Sequence, residues 1–208
     1  MRAAEITVTS QGEGMREALE ETEKLGTACG LAPKEVLRLR LLAEELFGMV
    51  RSIVGEEEAV YRIEADGKRF ELRLSADVWM TQELKKQLVS VSSQGKNAAS
   101  AGFMGKLRDM IATALLPKEN GLSLLSGFSM GCMSMAGSGG PAAQAASADA
   151  FYWSMNRYKQ AIDETRAENS ESEAAWDELE KSIVANLADE VTVLIRGSRT
   201  EIRIQKTF

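Results

Sequence analysis

The sequence predicts an α+β fold of two layers, a mixed sheet with helices packed on one of its faces. Three features predict it. Ala59 to Ala65 and Arg69 to Ser75 alternate apolar and polar residues and are joined through Asp66-Gly67, a turn whose two positions tolerate positive φ and so bring the flanking strands together. Val191 to Arg196 and Thr200 to Lys206 repeat the pattern across Gly197-Ser198. Ahead of the first hairpin, Leu39, Leu42, Ala43, Leu46, Phe47, Val50 and Ile53 share one broad side of a 3.6-residue wheel, the side that such a helix buries.

The other elements follow in order. Ile6 and Val8 alternate with polar neighbours between Glu5 and Ser10, a short strand that Gly12 to Gly14 stop. Met15, Ala18, Leu19, Thr22 and Leu25 then recur at helical spacing, with Gly30 placed as a C-terminal cap and Pro33 opening the next helix. The polar residues of that second helix form two stripes, Arg40, Glu44 and Arg51 on one side and Lys34, Arg38, Glu45 and Ser52 on the other, and Gly55 ends it. Thr81 caps a helix carrying Leu84, Leu88 and Val91, and Phe103 to Leu116 form another, closed by Pro117. From Asn120 to Ala150 the chain is rich in Gly, Ser, Ala and Met, a composition open to a packed loop, a mobile lid or a partner-binding segment. Asp149 to Arg166 and Glu173 to Asp189 read as helices before the closing hairpin. The organisation expected is one domain over 1–208, with 117–172 an insertion or rebuilt lid within it.

Composition narrows the function classes. The 208 residues are 44% hydrophobic, enough for one core. No stretch reaches the roughly 18 uncharged apolar residues of a membrane span, and Met1 to Ser10 lack a signal-peptide core, so a soluble cytoplasmic protein without a membrane partner is expected. A formal charge of -6 argues against nucleic acid as a partner, because affinity there rests on Lys and Arg neutralising phosphates. The chain holds no histidine, which removes the usual general base and the commonest metal ligand and excludes Ser-His-Asp hydrolases. Cys29 and Cys132 match no metal spacing and read as free thiols.

Leu37 to Gly55, the hairpin after it, and Leu187 to Lys206 together resemble the nucleotide-binding (Bergerat-like) domain of histidine kinases, anti-sigma-factor serine kinases and gyrase, closest to the anti-sigma type. In that family a helix carries Glu-x-x-x-Asn, the Glu serving the attacking hydroxyl or water and the Asn holding magnesium. Here the same spacing gives Glu45 and Met49. The resemblance therefore implies Glu45 as the catalytic residue and ATP as the ligand. Magnesium is left without its amide, since a thioether does not replace an oxygen ligand for a hard ion. The family's adenine-binding Asp-x-Gly-x-Gly box falls on Ser75-Ala76-Asp77-Val78-Trp79, without glycine and with Asp77 one place out of the alternation set by Leu72 and Leu74. Its phosphate-binding glycines have their nearest counterpart in Ala101 to Lys106.

Lys96, Asn97, Gly102, Gly105 and Lys106 gather glycines and cations ahead of a helix, a setting in which free N–H groups attract an anion. Gly95-Lys96-Asn97 is not a P-loop, because Ser90 stands where the first glycine is required and Asn97 where Ser or Thr is. For Glu45 the plain alternative is a solvated ion-pair partner of Arg38 and Lys34. Three functions are thus expected to compete. The first is a degenerate anti-sigma-type regulatory protein that binds a protein partner or a small anionic ligand without efficient turnover. The second is an ATP-dependent serine kinase using Glu45, and the third a structural homodimer with the Met- and Gly-rich segment as contact surface.

Overall fold

The computed structural model describes residues 1–53, 58–78, 103–115, 150–167 and 169–208. Six strands and six helices occur among them. In chain order they are β1 (Ile6–Thr9), α1 (Met15–Ala28), α2 (Pro33–Ile53), β2 (Glu58–Asp66), β3 (Arg69–Asp77), α3 (Phe103–Ala114), β4 (Ala150–Ser154), α4 (Met155–Thr165), α5 (Ser170–Lys181), α6 (Ile183–Leu187), β5 (Glu190–Arg196) and β6 (Arg199–Thr207). The strands make one sheet in the order β1-β2-β3-β6-β5-β4.

The N-terminal strand and both hairpins thus lie in a single α+β sandwich, β3 pairing with β6 from Arg69 opposite Thr207 to Asp77 opposite Arg199. The sheet is antiparallel throughout, not mixed as the sequence predicts. Tight turns join β2 to β3 and β5 to β6, with Gly67 at φ 56° and Gly197 at φ 60°. Between β1 and β2 the chain runs out along α1 and back along α2, so it re-enters the sheet at the end it left and the new strand runs reversed.

One face carries the core. Ala59, Tyr61 and Ile63 on β2, Phe70, Leu72 and Leu74 on β3, Val191, Val193 and Ile195 on β5, and Ile202 and Ile204 on β6 are buried, each larger side chain worth about 1.5–3 kcal/mol over exposure. The helices cover that face, led by Leu39, Leu42, Leu46 and Phe47 of α2. At the centre the Phe47 and Tyr61 rings meet edge to face with centroids 4.9 Å apart. The Thr22 hydroxyl gives its proton to the Ala18 carbonyl at 2.7 Å, which leaves Tyr61 as donor in the 2.7 Å bond between the two hydroxyls. Burial pushes the Tyr61 phenol far above its usual pKa, so it stays protonated and keeps that bond.

Local chemistry sets the helix ends. α1 closes in a Schellman motif: Gly30 at φ 75° lets Leu31 N–H reach Gly26 O and Gly30 N–H reach Thr27 O. At the start of α2 the Glu35 carboxylate accepts from Ala32 N–H at 2.7 Å, half of a capping box. Two helix expectations are corrected. Of the helix expected over Asp149 to Arg166, residues 150–154 form β4 instead, because Phe151-Tyr152-Trp153 are strand formers that pair with Ile195, Leu194 and Val193. The helix expected over Glu173 to Asp189 is two, since Ser182 takes extended backbone (φ -81°, ψ 125°) and its hydroxyl caps α6 at Ala185 N–H. The insertion or lid expected over 117–172 accordingly ends in β4, α4 and the start of α5, while 117–149 and the helix expected after Thr81 lie outside the described residues. No helix among the described residues is long and apolar enough to cross a membrane.

Gly14 shows how tightly β1 and α1 are joined. It sits at φ 71°, and a Cβ there would lie 1.9 Å from the Thr7 carbonyl oxygen. Gly14→Ala should therefore cost about 2 kcal/mol or more, read as a fall of about 4–8 °C in melting temperature for a chain of this size; a variant melting with the parent would show that the β1–α1 turn is not held this closely.

Candidate functional site

The candidate site follows from how α2 disposes its two adjacent carboxylates. Glu44 is exposed and accepts from Arg40 Nε at 2.8 Å, while Arg40 Nη1 donates to Glu23 on α1 at 2.5 Å. That stripe ties two helices together. Glu45, one position and 100° further round, is half-buried. Among the described residues no ion pair or hydrogen bond of its carboxylate is found. Lys34 and Arg38, the expected partners, are exposed and make no ion pair with it. Burial, and then the charge of Glu44, push the Glu45 pKa above the ordinary carboxylate value. One turn on, Met49 is 3% exposed and packs in the core, at the position that the sequence resemblance sets against a metal-holding Asn.

α3 packs against α2. Phe103, Leu107, Met110 and Ile111 are buried, and Gly105, the third residue of the helix, is buried with them. Of the five residues expected to bind an anion, Gly105 is the one whose surroundings are described. Lys106 follows it in α3, with its side chain outside the described residues, as are Lys96, Asn97 and Gly102 entirely. Asp77 closes β3, exposed, two positions beyond Ser75 and hence on the face of the sheet away from α2.

That outer face carries the constellation that reading along the chain misses. In register across three neighbouring strands stand Arg62, Arg73 and Arg203, about 4.8 Å apart from strand to strand. Like charges placed directly opposite are unfavourable, and nearby glutamates offset them. Glu5 and Glu64 pair with Arg62, Glu71 accepts from Arg73 Nη2 at 2.5 Å, and Glu201 accepts from Arg203 Nε at 2.5 Å. Burial raises the Glu71 pKa, but Arg73, Gln205 and Arg203 outweigh it and hold the carboxyl below its ordinary value. A hollow of about 240 Å³ opens over this face, its wall including Arg62, Arg73, Ser75 and Asp77. The periodicity of each strand marks these positions as outward-facing. Only the pairing of β3 with β6 puts the three arginines in one row.

Among the described residues no three His, Cys, Asp or Glu side chains gather in a way that could hold a metal ion. No protein-family model, curated protein or solved structure matches the chain.

The raised Glu45 pKa has a consequence for stability, with a definite sign. The folded state holds this proton more tightly than the unfolded chain does. The contribution to stability is therefore complete below the unfolded value near 4.5 and is lost as pH rises through the folded value. Glu45→Gln should melt above the parent protein at pH 7, with the gap closing as pH falls toward 4; a variant that melts lower at pH 7 would mean that the carboxylate has a stabilising partner.

Proposed function

We propose that the protein is a regulatory member of the anti-sigma type of the histidine-kinase-like ATPase scaffold, binding a protein partner or a small anionic ligand without efficient turnover. The observation that carries this reading is the pair Glu45 and Met49 on α2: a carboxylate kept half-buried without a counter-charge among the described residues, and a core thioether one turn away. Phosphoryl transfer rests on positioning and on charge neutralisation by a divalent ion. A thioether in the core offers that ion no oxygen. The order strand, two helices, hairpin and closing hairpin, with both hairpins in one sheet, supports the scaffold half of the proposal.

The kinase reading keeps one observation in its favour. A carboxylate whose proton affinity is raised by burial is better matched to taking a proton from a hydroxyl near neutral pH than an ordinary one. The two readings separate on magnesium. Following melting temperature against ATP with and without the ion, the regulatory reading expects a rise that magnesium does not enlarge, because any ligand of the native state stabilises it by mass action. A rise that requires magnesium, with phosphate release abolished in Glu45→Ala, would establish the kinase instead. No shift at millimolar ATP would remove the nucleotide and leave a protein partner or a different small anion as the ligand.

A further inference from the structure

On the face of the sheet opposite α2, we propose a second binding site, for a small ligand bearing a single carboxylate, in the hollow over Arg62 and Arg73. Three observations carry it. The side chains of Arg62 and Arg73 are adjacent across β2 and β3 and both line the hollow. In each the Nε–H is shut off from solvent and has no hydrogen-bond acceptor among the described residues, whereas the Nε–H of Arg203, the third arginine of the row, donates to Glu201. Buried donors in folded proteins are satisfied almost without exception, and a pair left unmet side by side points to an acceptor that arrives from outside. A carboxylate presents two oxygens to guanidinium donors in one plane, the geometry that arginine recognises best.

The wall sets the charge of the ligand. Glu5, Glu58, Asp77 and Glu201 also border the hollow, with Arg199 a further cation beside Arg62 and Arg73; four carboxylates against three arginines leave the wall net acidic, so a doubly charged phosphate meets twice the net repulsion that a monoanion does. Capture requires the two guanidinium groups to turn on their stems until Nε–H faces the cavity, and arginine's rotatable methylenes allow that movement without disturbing the strands. Arg62 and Arg73 reach Glu5 and Glu71 through Nη atoms, links that the turning of the guanidinium groups exchanges for the ligand's oxygens. The site shares no residue with Glu45, Met49 or Gly105, and stands or falls apart from the nucleotide reading.

Acetate is the probe, titrated at constant ionic strength against chloride, with the arginine Nε–H resonances followed by nitrogen–proton NMR. The expected result is a saturable shift of the Arg62 and Arg73 signals with Arg203 little changed. Arg73→Lys and Arg62→Lys keep the charge and remove the Nε–H, and each should weaken acetate binding about tenfold, equivalent to about 1.4 kcal/mol; having both guards against one variant misfolding. Shifts in all three arginines that never saturate would show charge screening alone and overturn the site. Lysine variants that bind acetate like the parent would overturn the role of the Nε–H pair, and inorganic phosphate, at a pH well above its second ionisation where it is doubly charged, binding as tightly as acetate would overturn the assignment to a monoanion.

Discussion

The pairing of β3 with β6 is the constraint on which the rest of the molecule depends. It joins residues 69–77 to residues 199–207 in unbroken register, and so merges two hairpins that would each be marginal alone into one surface. On the inner side the merger makes Leu72 and Ile204 neighbours and gives α2 a continuous apolar floor. On the outer side the same register lines up Arg62, Arg73 and Arg203. The core and the charged row are two faces of one backbone arrangement, and a slip of one residue would exchange them.

Helix α2 divides its polar residues in a similar way. Arg40 and Glu44 fasten it to α1 through Glu23, while the adjacent Glu45 is left half-buried with its proton affinity raised. A fold that only needed solubility on that stripe would be as well served by an uncharged polar side chain. That local disadvantage is the ground for the role proposed for Glu45, since groups held at a cost to stability concentrate where chemistry or binding is done.

Much of the fold was legible in the sequence, and the misses have physical causes. Hairpins announce themselves locally: Asp66-Gly67 and Gly197-Ser198 need only their own backbone preferences, and both are present. The buried side of α2 was equally plain, because seven apolar positions on one side of a wheel admit one orientation. β4 was not, since an aromatic run entering a helix can extend that helix or join a sheet edge, and the choice lies with Val193 and Ile195 across the gap. The break at Ser182 was hidden for a related reason: a serine inside a helical pattern is either tolerated or a cap, and helix packing decides. At the candidate site the spacing of Glu45 and Met49 was readable while their burial was not. The arginine row was invisible, because its members are 11 and 130 residues apart in the chain and meet only through strand register.

The place of β6 also bears on how the molecule comes to exist. It follows the other described strands in the chain, yet it lies between β3 and β5 in the sheet. During synthesis, therefore, the first hairpin waits with a bare edge while more than a hundred further residues are added, and the apolar floor beneath α2 is incomplete throughout. Contacts this distant are formed slowly because the intervening chain must first be closed into a loop, and an unpaired strand is a template for pairing with the wrong chain. The edge of β3 is thus open to misassembly until β6 slides into the middle of the sheet.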